Sequence, residues 1–339
     1  MKNLIRSLIL FALFSACSSE DTVLVSYENP ELELNVPFGF PDFNNSVYTN
    51  KPTKYGVALG EKLFHDTKLS TDNSISCASC HIQENAFADH NAKGIGIEGR
   101  IGLRNTPPVQ NMAFMKVFNW DGNIRVLENQ PLVPIITHFE MDSSILEVMG
   151  KLEEDPEYIE LFNKAFNGEG ITADGIYKSI AQFEYTLISA NSKYDQVIRE
   201  AGGTFTETEA LGYQVFQDKC ISCHSSELFT DQSFRNIGFP LNPDHEEAGR
   251  ARVTGLAEDF MRFRVPSLRN IAHTAPYGSF GQFETLRAVL DYFDNGVLDV
   301  ENLDPILKEN NNRIPLSEAE KDQLIAFMQT LSDSEFIGK

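Results

Sequence analysis

Within five positions this chain places two thiols and an imidazole, Cys77-Ala-Ser-Cys80-His81, and the same arrangement returns at Cys220-Ile-Ser-Cys223-His224. Cys-x-x-Cys-His is the attachment signature of c-type haem: both thiols add to vinyl groups of the porphyrin, and the histidine becomes the proximal iron ligand. Half a zinc site or a redox Cys-x-x-Cys would use the same residue types. A zinc site, however, needs further ligands at close spacing and a thioredoxin-like motif needs a βαβ pattern, and neither is present. The fifth cysteine, Cys17, belongs to the leader, so no thiol remains for a disulfide framework. Two covalent haems are therefore expected, attached through Cys77, Cys80, Cys220 and Cys223 and ligated by His81 and His224.

The elements that carry the two clusters are themselves related. "ALGEKLFHD" at 58–66 and "ALGYQVFQD" at 210–218 share Ala, Leu, Gly, Phe and Asp in register, each just upstream of its cysteines. This is an internal duplication, with an insertion "TKLSTDNSI" in the first copy. Thr206-x-x-Glu209 reads as a capping box opening the helix toward the second cluster, and Ser317-x-x-Glu320 opens a last helix with Leu324, Ile325, Phe327, Met328 and Leu331 on one face. Strand signals are sparse. The expected fold is mostly α, with two cytochrome c-like domains at 51–200 and 201–339, each holding one haem. Residues 17–50, rich in Pro and Asn, read as a tether or extended strap.

Residues 1–16, "MKNLIRSLILFALFSA", combine Lys2 and Arg6 with an apolar run and small residues, the pattern of a secretory signal. Export to the periplasm is the expectation. Cys17 directly follows Ser15-Ala16, as in a bacterial lipid-attachment box, although Phe14 stands where leucine is usual, so a lipid anchor at Cys17 is expected. The chain has 28 Lys plus Arg against 49 Asp plus Glu, and losing the leader moves the formal net charge from -21 to -23. So acidic a surface argues against nucleic acid and against an anionic membrane, and suits a basic or neutral protein partner or a small substrate.

Between the clusters lie "LRNTPPVQN" (103–111), "FNWDG" (118–122), "ENQPLVPIITHFEM" (128–141) and "RVPSLRNIAHTAPY" (264–277). In this order they resemble the bacterial di-haem cytochrome c peroxidases over about residues 55–333. The resemblance implies that His81 serves the peroxidatic haem and His224 the electron-transfer haem. It puts Glu140 at the catalytic carboxylate, Gln130 at the distal glutamine, Pro134 at the distal-pocket proline and Trp120 between the haems. Asn105, Thr274 and Pro276 match calcium-binding positions, the last two through main-chain carbonyls. Peroxide at the iron must lose a proton from its inner oxygen and gain one on its outer oxygen before the O–O bond breaks, and a buried carboxylate can do both.

Two departures stand out. Phe293, which has no donor atom, falls where the peroxidases have a methionine ligand and the related methylamine-pathway enzyme a tyrosine; Tyr292, Met261 and His273 are the neighbouring alternatives. The segment "GIEGR", where some members carry a removable histidine ligand, has none, and His90 does not align with it. The peroxidatic iron is then expected to be open from the outset. His65, His138, His245 and His273 read first as hydrogen-bonded or solvent-facing. The leading expectation is an exported peroxidase reducing hydrogen peroxide with electrons from a small cytochrome c or cupredoxin, with homodimerisation open. Its rivals are a di-haem electron-transfer protein and a di-haem oxidase that modifies another protein.

Overall fold

The longer helices form here where apolar residues recur at helical spacing behind a side-chain cap. The computed structural model describes residues 27–241 and 247–338, so the leader, Cys17 and His245 lie outside the described residues. In chain order the helices are α1 (Asn45–Thr49), α2 (Lys54–His65), α3 (Cys77–Cys80), α4 (Leu132–Ile136), α5 (Ile145–Glu153), α6 (Pro156–Ala165) and α7 (Ala173–Thr186). They continue with α8 (Lys193–Ile198), α9 (Glu207–Lys219), α10 (Ala251–Thr254), α11 (Leu286–Asp291), α12 (Pro305–Glu309), α13 (Glu318–Gln329) and α14 (Ser334–Ile337). Strand is confined, among the described residues, to one antiparallel pair, β1 (Phe234–Arg235) with β2 (Phe263–Arg264), and to isolated bridges. The protein is mostly helical. Both capping boxes read from the sequence are formed, at Thr206 with Glu209 and at Ser317 with Glu320.

The duplicated segments cross their partner helices at the same residue. A Cβ on Gly60 of α2 would stand 1.9 Å from the Ser179 carbonyl oxygen of α7, and one on Gly212 of α9 would stand 1.9 Å from that of Gln323 in α13. Only glycine permits so close an approach. Around the first crossing Leu59, Leu63, Phe64, Ile176 and Ile180 are buried together; around the second, Phe216, Leu324, Phe327 and Leu331 are. The clusters do not part company at residue 200: Tyr194 of α8 packs in the second, and Phe336 of α14 returns to the first. Of the strap expected at residues 17–50, the described part, 27–50, carries no helix or named strand before α1, and its Phe40 and Val47 are buried.

Between the two helix crossings lies a buried polar junction. Arg269, fully buried, donates to both carboxylate oxygens of Asp195 at 2.9 and 2.8 Å and to the Glu227 carbonyl at 2.6 Å, and its guanidinium lies 4.6 Å from the Phe40 ring centroid. The amide of Asn270 donates to Gln110 at 2.6 Å and Ser189 at 2.9 Å, and its oxygen accepts from the Asp333 N–H at 2.7 Å. Removing one partner of a buried ion pair strands the other charge and costs about 3–5 kcal/mol. Arg269→Met should therefore lower the unfolding temperature sharply, and adding Asp195→Asn should recover part of the loss; a thermal melt of the two variants that shows no difference between them would contradict this.

Candidate active site

The first cysteine pair sits on the single turn α3, where Ser76 and Ser79 close a capping box and His81 follows as the C-cap. His81 Nδ1 bonds the Phe87 carbonyl at 2.8 Å, and Phe87 has a left-handed φ of 59°. His224 repeats the device: Nδ1 bonds the Phe229 carbonyl at 3.1 Å, with Phe229 at φ 53°. Fixing Nδ1 on a carbonyl sets the tautomer and leaves Nε2 as the ligating nitrogen. Burial pushes the Cys77 thiol well above its ordinary pKa and Cys80 up to about 11, so neither is a ready thiolate.

Cys77, Cys80 and His81 share the wall of one cavity of about 340 Å³ with Gln130, Pro134 and Glu140. Gln130 precedes α4, Pro134 lies within it, and Glu140 follows on a turn closed by its N–H to the Thr137 carbonyl at 2.9 Å. With nothing of opposite charge beside it, burial pushes the Glu140 carboxyl up to about 7. Its main chain is fastened from outside by residues 94–102. The Ile97 N–H donates to the Glu140 carbonyl at 2.9 Å, and Arg100 donates to the His138 carbonyl and to Asp142, each at 2.7 Å. Gly96 is required by this contact, since a Cβ there would lie 2.2 Å from the Phe139 carbonyl oxygen. "GIEGR" thus holds the Glu140 turn.

Trp120 also lines the cavity, donates from Nε1 to the Asn105 carbonyl at 2.8 Å, and packs against Phe239, Met261 and Phe263 of the second half. Asn105 and Thr274 are both buried, and the Asn105 N–H bonds the Ser279 carbonyl at 2.9 Å, which brings Asn105 against the loop containing Thr274 and Pro276. The Asn105 amide faces the carbonyls of Asn91 and Ala92 at 3.4 and 3.3 Å, and the buried Ser279 hydroxyl has no partner among the described residues. These are hard oxygen donors of the kind calcium takes. His90 and His138 are exposed, His65 bonds the Glu61 carbonyl, and His273 bonds Ser332 at 3.1 Å.

Near the second histidine, α11 runs into a π-helical turn over Tyr292–Gly296. Phe293 uses its carbonyl to accept from Ile314, while the Tyr292 hydroxyl donates to the Ile237 carbonyl at 2.8 Å among Phe239 and Phe283. Met261 is buried in the same aromatic cluster.

Two buried acids, one on the cavity wall and one beside it, escaped sequence reasoning. Glu184 of α7 is buried on the cavity wall, its carboxyl pushed up to about 8 by burial and then by Glu128. Glu128 is buried too, one oxygen accepting from Tyr185 at 3.2 Å and the other without a partner among the described residues. Nothing in their local sequence separates them from surface glutamates. A third omission had a signal: Leu-Arg-Asn occurs at 103–105 and again at 268–270, and the segments after them form matching bridges, Phe118 with Ile124 and Tyr277 with Phe283.

Two haem-type histidine clusters and a carboxyl-lined cavity on a helical frame define a class, and comparison with known proteins agrees. The chain belongs to the di-haem cytochrome c peroxidase family, whose model matches residues 54–202. It is 31% identical over 313 residues to the methylamine utilization protein MauG of Methylophilus methylotrophus, covering 89% of this chain and 91% of that protein. It is 32% identical over 281 residues to the cytochrome c551 peroxidase of Nitrosomonas europaea, covering 82% and 80%. Among solved structures it resembles a MauG-like protein associated with microbial copper homeostasis, with TM-score 0.82 and 29% identity over 90% of this chain and 97% of that one. The family implies two c-type haems, and the two fixed histidines with their paired thiols fit them. The holoprotein should carry two irons per chain and a haem-stained band after denaturing electrophoresis, and Cys77→Ala and Cys220→Ala should each lose one haem; a colourless, zinc-loaded protein from a host competent in haem attachment would contradict this.

Proposed function

We propose that this chain is an exported di-haem peroxidase that reduces hydrogen peroxide to two waters, taking two electrons from a small redox protein and two protons from solvent. The observation that carries the reading is Glu140, set in the same cavity as Cys77, Cys80 and His81 with its carboxyl held near pKa 7 by burial. When bound, the haem at His81 supplies the iron at which the O–O bond breaks, and the haem at His224 stores an electron.

The residues then divide the work as follows. Glu140, as the carboxylate, accepts the proton of the peroxide's inner oxygen and returns it to the outer oxygen, which leaves as water. Gln130 orients the peroxide by hydrogen bonding, and Pro134 narrows the pocket around it. Residues 94–102 keep Glu140 at a fixed distance, so activity does not wait for a loop to move aside. Trp120 bridges the cavity and the aromatic cluster beyond it, and provides the electron route between two cytochrome c-like domains. Asn105, with Thr274 and Pro276, would hold calcium beneath that route. A lone electron carrier has no use for a buried carboxyl that changes protonation state near neutral pH in the same cavity as its iron ligand, which sets that rival behind. For the His224 haem we propose ligation without methionine at Phe293, Tyr292 being held on Ile237 instead.

Two outcomes test this. Glu140→Gln should bind peroxide but cleave it about a hundred- to ten-thousand-fold more slowly. In the parent protein kcat/KM should fall as pH drops below about 7, because protonation removes the base, and this acidic limb should vanish in the variant. Near-native turnover by the variant would move catalysis elsewhere. With a formal net charge of -23 once residues 1–16 are lost, oxidation of a basic cytochrome c should slow as ionic strength rises. A rate independent of salt would instead indicate an apolar docking face.

A further inference from the structure

Three guanidinium groups line the cavity that holds Cys77 and His81: those of Arg104, Arg252 and Arg264. Two are neutralised by protein. Arg104 pairs with Asp121 at 2.9 Å and Glu247 at 2.8 Å, and Arg252 pairs with Asp121 at 2.6 Å. Arg264 is only 8% exposed, yet it makes no ion pair among the described residues. Its one side-chain hydrogen bond there runs from Nε to the Asn119 carbonyl at 3.3 Å, leaving both terminal nitrogens unused. Burial lowers its pKa only to about 10, so it remains a cation at neutral pH.

A buried cation without a counter-charge costs several kcal/mol, and few such groups survive in a folded protein unless an anion meets them. The main chain of Arg264 is fixed at this spot: its N–H bonds the Trp120 carbonyl at 2.7 Å, and the residue pairs with Phe234 across the β1–β2 ladder, while Nε on the Asn119 carbonyl aims the side chain. The other acids of the wall, Glu140 and Glu184, are held toward the neutral form by burial and lie outside ion-pair distance of it. The missing anion must come from what the cavity binds. A haem carries two propionate carboxylates on the edge away from its thioether bonds, and a guanidinium matches a carboxylate with two parallel N–H bonds.

We propose that Arg264 is the counter-charge of a propionate of the haem attached at Cys77 and Cys80, and that it raises the reduction potential of that haem. The inference rests on the part of the proposed function that puts a haem at this cluster, and not on the identity of the substrate. A fixed positive charge beside the porphyrin favours the reduced iron, which carries one positive charge fewer. Because Arg264 is stapled to the Trp120 main chain, this charge stands where electrons would enter the first site.

The test compares the holoprotein with Arg264→Met and Arg264→Lys by spectroelectrochemical titration, the first-site haem being the one whose spectrum Cys77→Ala removes. Arg264→Met should lower the potential of that haem while leaving the His224 haem nearly unchanged. The loss should be on the order of tenfold in the equilibrium constant for reduction, about 59 mV for one electron. Arg264→Lys should restore much of it. Should Arg264→Met fail to accumulate, resonance Raman spectra of Arg264→Lys against the parent protein decide the matter, since a changed partner shifts the propionate bending bands. Unchanged potentials in Arg264→Met, or unchanged propionate bands in Arg264→Lys, would overturn the assignment. A protein with two haems and the expected potential shift but no peroxide turnover would instead refute the peroxidase reading alone.

Discussion

The buried polar junction formed by Gln110, Asn111, Ser189, Arg269, Asn270 and Asp333 is the constraint on which the rest depends. Each half of the chain has its own helix crossing at a glycine, and apolar packing alone would let two such halves slide. A network whose members are all buried does not allow that. Gln110 donates to the Arg269 carbonyl at 2.8 Å, and Asn111 both donates to and accepts from the Ser189 main chain, at 3.1 and 2.9 Å. Any shift would leave donors and acceptors unpaired in a low-dielectric interior. The junction therefore fixes how the cavity at His81 and the aromatic cluster near His224 face each other, with Trp120 between them.

The same logic operates on a smaller scale around Glu140. The role proposed for Glu140, passing a proton between two oxygens one bond apart, requires placement to within a fraction of an ångström and burial that keeps its affinity for the proton near neutral. The turn after α4 provides the burial, while Ile97, Arg100 and Gly96 fasten the turn from the solvent side. Where some relatives carry a removable ligand, this chain has a clamp. The two arrangements use the same stretch of backbone for opposite ends.

Much of this was legible in the sequence because it is local or repeated. The two Cys-x-x-Cys-His clusters, the capping boxes at Thr206 and Ser317 and the duplicated Ala-Leu-Gly are contiguous strings whose physics needs no partner from elsewhere. Glu140, Gln130 and Trp120 were named through resemblance rather than periodicity, and all three line the one cavity. What stayed hidden is long-range. Glu184 and Glu128 look like any helix-surface acids until α7 presses them inward, Arg264 looks like an ordinary strand cation until its lack of a partner is seen, and Tyr292 gains its hydrogen bond from a π-helical turn that no residue pattern announces. The packing of Tyr194 and Phe336 across residue 200 is hidden for the same reason.

The central claim is that one cavity performs the peroxide chemistry while the second site supplies an electron to it. Mixing the fully reduced protein with one equivalent of hydrogen peroxide in a stopped-flow instrument, and following both Soret bands, tests this most directly. The account predicts that both haems become oxidised together, at a rate proportional to peroxide, with two electrons lost per peroxide consumed. Oxidation of one haem alone, or of neither on the turnover timescale, would contradict it.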